Sequence, residues 1–265
     1  MNAEELLRRY AAGERDFAGV DLSSVDLNGA KLIDINLTNA NLINANFSYA
    51  DLTGANLSDA NLINANFSCI DLINANLSNA NLTDANLEGA QLINAKFSGA
   101  NLREAFFRGA DLSKANLNNA CLEKANLDSA DLTDANLSGV NLKSGFLSGI
   151  NSENTNLNGA DLSDADVTGA SFDKASLIGT NLSNTRLHQT GFTNSDLTGA
   201  NLSGAIIEET SFKGSNLTHA NLMGAKPEPE YGSNTIDLTG KLQDATLYNT
   251  VMPDGTIRND NCTTQ

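Results

Sequence analysis

The side chains best suited to chemistry are few in this sequence and lie far apart. The two histidines, His188 and His219, have no cysteine and no second histidine near them in the chain, which disfavours a metal site. The three cysteines, Cys69, Cys121 and Cys262, are odd in number and irregularly spaced, which argues against a disulfide framework and a metal-binding motif. We therefore expect no cofactor and no metal ion.

Serines and acidic residues are common, but they form no recognisable catalytic motif. The sequence contains no G-x-S-x-G pattern and no phosphate-binding loop, and no serine is paired with an evident base. We therefore expect that the protein is not an enzyme. The net charge of −16, from 32 acidic and 16 basic residues, disfavours unaided binding to nucleic acid or to an anionic membrane. No apolar run reaches the roughly 18 residues of a membrane span, and a cytoplasmic location is the default expectation.

The acidic residues do show one regular spacing. Asp51, Asp71, Asp111 and Asp131 lie 20 or 40 residues apart. If the chain repeats its path every 20 residues, these carboxylates form a column on one face. A column of like charges opposes folding, so it requires an explanation in structure or in function.

The element that positions these residues is a repeat of five. Among the 42 residues whose numbers end in 2 or 7, from Phe17 to Leu222, 39 are Leu or Phe, so the register is unbroken. Small residues, mostly Ala, precede them by two positions. A helix would scatter such leucines around its axis, and a flat strand would alternate them between its faces. The pattern fits a chain that turns a corner at every repeat and directs both apolar positions inward, as in a solenoid.

A coil of four repeats is the best fit to the sequence. Residues 41–48 and 61–68 both read NLINANFS, a spacing of 20. The same spacing predicts two columns of aromatic side chains, and the members of these columns are Phe47, Phe67 and Phe107, and Phe172, Phe192 and Phe212.

The repeat A(N/D)Lxx, as in ADLTG, ANLSD and ANLIN, resembles that of the pentapeptide-repeat family and covers about four-fifths of the chain. The resemblance implies an all-β solenoid, a right-handed quadrilateral β-helix of about ten coils. The first residues are similar to the N-terminal capping helix of cyanobacterial-type members. Asn2 is a candidate N-cap, and Leu6, Leu7, Tyr10 and Ala11 form an apolar stripe.

The sequence divides into three segments. Residues 1–14 are predicted to form the capping helix and residues 15–225 the β-helix. Residues 226–265 begin with a loop rich in proline, continue with a partial coil or cap that contains Leu242, Ala245 and Leu247, and end in a tail expected to fray from Asn259. Capped ends favour a monomer, although an end-to-end dimer is also compatible with the sequence.

Two features of the sequence are candidates for an interaction surface besides the aspartate column. Ile33, Ile73 and Ile93 share one outward column, and Ile43 and Ile63 share the opposite one. Exposed apolar rows mark partner sites, but β-branched residues also suit extended backbone. The other feature is an irregular coil, in which Gly145 replaces Ala, Phe146 points outward and Ser152 takes a core position; it is either a partner site or a tolerated local defect.

These observations favour a non-enzymatic, rod-shaped scaffold or protein–protein interaction protein whose partner is another protein. The alternative is an acidic mimic of DNA that inhibits a topoisomerase or gyrase-like enzyme, because members of the family that the sequence resembles are thought to act in that way.

Overall fold

A computed structural model describes residues 1–227, 238 and 240–261 of the chain. The proline-rich segment predicted to form a loop falls largely on residues 228–237, and Cys262 is among residues 262–265. These residues lie outside the described part, and nothing further is said of their structure.

The chain forms a right-handed quadrilateral β-helix in which parallel bridges join one coil to the next. Every residue whose number ends in 1 or 6 pairs with the residue 20 positions later, from the Asp16–Asn36 bridge to the Ile206–Lys226 bridge. We call this the outward position of each repeat. The outward positions define four faces: face 1 (16, 36 and so on to 216), face 2 (21 to 221), face 3 (26 to 226) and face 4 (31 to 211).

All five backbone N–H groups of a repeat are bonded, as residues 56–60 illustrate. Three of them donate to carbonyls of the adjacent coils over 2.7, 2.9 and 3.0 Å, and the N–H of Ala60 closes a turn onto the Leu57 carbonyl at 3.2 Å. The fifth, of Ser58, donates to the side-chain Oδ1 of Asn56 at 3.2 Å. Because buried backbone groups need partners, this explains why Asn and Asp predominate at the outward position.

Each corner depends on one residue in the left-handed region of backbone space. The residues whose numbers end in 4 or 9 have positive φ throughout the coils, for example 57° at Asp84 and 71° at Gly54. This is the third residue of a type II turn, a place where Gly is favoured and where Asn and Asp are tolerated better than other residues. The same requirement explains the abundance of Gly, Asn and Asp in the last place of the repeats.

Outward asparagines also bond to each other along the rod. The side-chain amide donates to the Oδ1 atom one coil earlier, as from Asn76 to Asn56 at 3.0 Å and from Asn101 to Asn81 at 3.1 Å. Aspartate serves as an acceptor in the same position, and the backbone N–H of Ser23 holds the pKa of Asp21 below its usual value. These ladders run along faces 1, 2 and 3.

The core is a narrow column of Leu, Ala and Phe that is almost completely shielded from solvent. The predicted aromatic columns are present: Phe47 stacks on Phe67 with ring centroids 5.4 Å apart. Phe172, Phe192 and Phe212 form a second stack with separations of 5.2 and 5.3 Å. Stacking at the spacing of the coils confirms the period of 20 residues.

Buried hydroxyls replace the small alanine in the second half of the rod. They donate to main-chain carbonyls in the preceding coil, as from Thr180 to Leu157 and from Thr155 to Leu132, both at 2.8 Å. These side chains therefore satisfy the rule that a buried polar group needs a partner.

The predicted irregular coil keeps its place in the solenoid. Gly145 is buried and its N–H closes the usual turn, and the outward residue Phe146 bridges Asn126 and Asp166. Ser152 is completely buried, and its hydroxyl has no hydrogen-bond partner. The irregularity is therefore a local change of side chains and does not interrupt the backbone.

Helix α1, Ala3–Ala11, covers the first coil. Asn2 caps it by accepting the N–H of Glu5 at 2.9 Å, as predicted. The packing face differs from the predicted stripe, because Leu6 is buried whereas Leu7 and Ala11 are exposed. The Tyr10 hydroxyl donates to the Ile33 carbonyl at 2.9 Å, and thus replaces a donor that a preceding coil would have supplied.

The far end of the rod is closed by a hairpin. After residue 227 the coil resumes with a shift of ten residues, so that Asn216 pairs with Thr246 and Asn221 with Val251. Strand β1, Thr250–Val251, pairs with the antiparallel strand β2, Ile257–Arg258. Residues 259–261, which we expected to fray, are bonded to the last coil, for example through the Asn261 amide and the Ala245 carbonyl at 2.8 Å.

The inward assignment of leucine leads to a direct test. Leu92 is completely buried in the middle of the rod, so Leu92→Asp places an unpaired carboxylate in an apolar column. We expect a loss of about 4 kcal/mol or more in the free energy of unfolding, measured by chemical denaturation. The control is Asn81→Asp at an outward position, which should unfold like the wild type. Equal stability of the Leu92→Asp variant would contradict the structure.

The unpaired hydroxyl of Ser152 leads to a second test. Ser152→Ala removes a buried polar group without a partner, so the free energy of unfolding should rise by about 1 kcal/mol. Thr155→Val is the matched variant, and it should lower the free energy by about 1 kcal/mol because it removes a made hydrogen bond. The reverse order of the two variants in urea unfolding would show that the Ser152 hydroxyl is bonded.

Candidate interaction surface

The residues that are most reactive in principle are not brought together. His188 is half-buried, whereas His219 packs edge-on against Tyr248 with centroids 5.5 Å apart. Cys69 and Cys121 are free thiols on different faces. Among the described residues, no group of three or more His, Cys, Asp or Glu side chains is arranged to hold a metal ion.

The aspartate column lies on face 4, where the spacing placed it. Asp51 bridges Asp71, and Asp111 bridges Asp131 in the next coil. Three of the carboxylates accept the backbone N–H two residues later, as Asp131 accepts that of Thr133 at 2.9 Å. An aspartate in this column therefore has the same structural role as the asparagines of the other faces, and the charge itself is not needed for the turn.

The outward isoleucines are less exposed than their position suggested. Ile33 is 40% exposed, whereas Ile43, Ile63, Ile73 and Ile93 are half-buried. Neighbouring side chains in the adjacent coils cover part of each one. The two rows therefore offer little continuous apolar surface.

Face 3 carries a stronger apolar feature near the middle of the rod. Phe106 and Phe146 occupy outward positions one coil on either side of Asn126, and they are 50% and 53% exposed. We call Phe106, Asn126 and Phe146 the aromatic patch. At the usual strand spacing of about 4.8 Å, its two phenylalanine backbones lie roughly 10 Å apart.

The aromatic patch borders a shallow depression of about 300 Å³. Asp84, Glu104 and Lys124, which occupy successive corners along one edge, complete its lining. Beside it, Arg103 holds Glu123 through two hydrogen bonds of 2.6 and 3.1 Å. The surface thus combines exposed aromatic rings with a charged rim, an arrangement typical of the binding faces of proteins.

Both phenylalanines give up the hydrogen bonds that the outward position normally makes. Neither can accept the N–H two residues later, and neither can bond to the asparagines above and below it. For Phe146, the N–H of Ser148 instead donates to Asp128 in the preceding coil at 2.9 Å. Stability alone therefore does not account for aromatic residues at these positions.

Sequence reasoning identified Phe146 but missed Phe106. A signal was present, because Asn or Asp occupies most outward positions and aromatic residues occupy only these two between residues 16 and 226. The two are 40 residues apart, which is two coils. Recognising them as one surface requires the period of 20 residues to be applied to the exceptions as well as to the core.

The chain belongs to the pentapeptide-repeat family. The family model for pentapeptide repeats matches it in overlapping segments that together run over residues 21–128 and 135–226. A search of curated proteins returned no match to the chain.

Solved structures of similar proteins include HetL, a pentapeptide repeat protein involved in heterocyst differentiation regulation, from the cyanobacterium Nostoc sp. strain PCC 7120. It shares 35% sequence identity over 97% of this chain and 100% of its own, with a TM-score of 0.47. QnrB1, a plasmid-mediated fluoroquinolone resistance protein, shares 20% identity over 74% of this chain and 88% of its own, with a TM-score of 0.42. The pentapeptide repeat protein Rfr23 from the cyanobacterium Cyanothece 51142 shares 32% identity over 42% of this chain and 58% of its own, with a TM-score of 0.28.

The described residues contain no helix with the length and hydropathy that a membrane crossing requires.

Proposed function

We propose that this protein is a non-enzymatic, rod-shaped scaffold that binds another protein through the aromatic patch on face 3. One observation carries the proposal: Phe106 and Phe146 are about half exposed at positions where most repeats have a hydrogen-bonding Asn or Asp. Large aromatic side chains supply much of the binding energy at protein interfaces.

The proposal also agrees with the filled interior of the rod. Substrate sites are usually concave pockets, whereas here the space inside the coils is occupied by stacked Leu, Ala and Phe. Binding therefore takes place on an outer face. The isoleucine rows and the aspartate column remain secondary candidates for contact with a partner.

Phe106→Asn together with Phe146→Asn tests the role of the aromatic patch. Asparagine suits the outward position and restores the missing hydrogen bonds, so the variant should keep the fold and its stability. Affinity capture from cells of the source organism, with quantitative mass spectrometry, should identify a partner with the wild type. We expect its recovery with the double variant to fall at least about 30-fold, because each interface anchor contributes about 2 kcal/mol or more.

Matched controls distinguish the aromatic patch from the other surfaces. Tyr49→Asn removes a different exposed aromatic side chain and should leave capture unchanged. The triple variant Ile33→Thr, Ile73→Thr and Ile93→Thr is tolerated by the column, since Thr53 already occupies it. A partner lost with the isoleucine variant and kept with the phenylalanine variant would place the interface on face 4.

The alternative function, an acidic mimic of DNA, draws on the aspartate column. Asp51 and Asp71, and Asp111 and Asp131, stack in pairs on face 4 and present carboxylates in a row. The net charge of −16 is compatible with a basic, DNA-binding partner. The hydrogen bonds from these carboxylates to their own turns supply a structural reason for the same residues, so we place this function second.

The two functions predict different results in a gyrase supercoiling assay. The scaffold proposal predicts that the purified protein does not inhibit supercoiling. The DNA-mimic function predicts inhibition that is lost when Asp51, Asp71, Asp111 and Asp131 are all changed to Asn. Asparagine keeps the Oδ1 acceptor of each turn, so such a loss would report on charge and not on folding.

A further inference from the structure

We infer that the aromatic patch recognises an arginine side chain of the partner protein, held in the depression between Phe106 and Phe146. This inference rests on the proposed function and adds the chemistry of the group that is bound. Three features of the depression support it: its aromatic walls, its charge and its size.

The walls favour a cation with a flat, weakly hydrated surface. Phe106 and Phe146 both line the depression, with Asn126 between them. Cations bind to the faces of aromatic rings, and an arginine guanidinium does so while its stem packs on apolar surface. Lysine is less suited, because its ammonium group is compact and strongly hydrated.

The charge of the rim also favours a cation. Asp84 and Glu104 are acidic and Lys124 is basic, so the lining has a net charge of −1. Glu104 already lies 3.7 Å from both Lys124 and Arg103. The carboxylate of Asp84 is exposed, and no basic group in the described part of the chain lies within 4.0 Å of it. Asp84 is therefore the acidic group available to a guanidinium from outside.

The size of the depression suits a single long side chain. Its volume of about 300 Å³ is at the lower limit of pockets that bind small molecules. The surface is therefore better suited to one side chain of a protein than to a cofactor.

The test uses the full chain and two peptides that differ only in charge. The first is acetyl-Gly-Arg-Gly-amide, and the second has citrulline in place of arginine, which keeps the shape and removes the charge. Binding is measured by NMR titration of the labelled protein through the amide signals of Phe106, Asn126 and Phe146. We expect saturable shifts with the arginine peptide and at least about 10-fold weaker binding of the citrulline peptide, within the range of cation–π energies.

Variants assign the interaction to named residues. Asp84→Asn should weaken binding of the arginine peptide about 5-fold or more, and Phe106→Asn with Phe146→Asn should abolish it. The backbone of Asp84 has φ of 57°, which asparagine also accepts, so the fold is kept. Asp59→Asn is the matched control, because Asp59 has φ of 58° at a corner after face 1 and should not affect binding.

Equal binding of the two peptides, unchanged binding to the Asp84→Asn variant, or the absence of shifts at the aromatic patch would each overturn the inference. These outcomes do not depend on the capture experiment. If the double phenylalanine variant loses its cellular partner while the peptides bind equally, the proposed interface stands and the arginine assignment fails. If the peptides discriminate but no partner depends on the patch, the proposed function fails.

Discussion

Hydrogen bonds between adjacent coils are the interaction on which the rest of this structure depends. Each repeat donates three backbone N–H groups to neighbouring coils, closes one turn and binds its last N–H with an outward side chain. A single coil has no partner for most of these groups, and its leucines cover only a short core. Stability therefore comes from stacking, and both ends need caps that replace the missing coil.

The two caps solve this problem with different chemistry. At the first coil, side-chain and terminal groups act as donors: the Tyr10 hydroxyl bonds to Ile33, and the N-terminal amino group bonds to the Asp21 carbonyl at 2.9 Å. At the last coil, an antiparallel strand takes the place of the next parallel one. Both arrangements cover backbone edges that would otherwise pair with other chains.

The regularity of the coil changes how its surface should be interpreted. Outward Asn and Asp residues are held by their own turns and ladders, so their abundance, and much of the acidity of the rod, has a structural cause. Residues that depart from the pattern are more informative. Phe106 and Phe146 make none of the expected hydrogen bonds and remain exposed, which points to a role outside the folding of the chain.

The sequence alone determined the period of five, the inward direction of Leu and Ala, the coil of 20 residues and the stacking of Phe47 on Phe67. These follow from a local repeat, because each corner is specified by residues next to one another in the chain. The sequence also placed the aspartate column correctly, although it did not show that the carboxylates bind their own turns. It missed Phe106 and misjudged the packing of Leu7.

Only the tertiary structure decided which outward residues are accessible and which charges are already paired. Ile73 and Ile93 are partly covered, Glu104 is surrounded by cations and Asp84 is not. Accessibility and ion pairing depend on side chains about 20 residues away that lie above and below in the stack. A pattern of five residues specifies the backbone that brings these side chains together, but the contacts that result depend on the individual residues at each level of the rod.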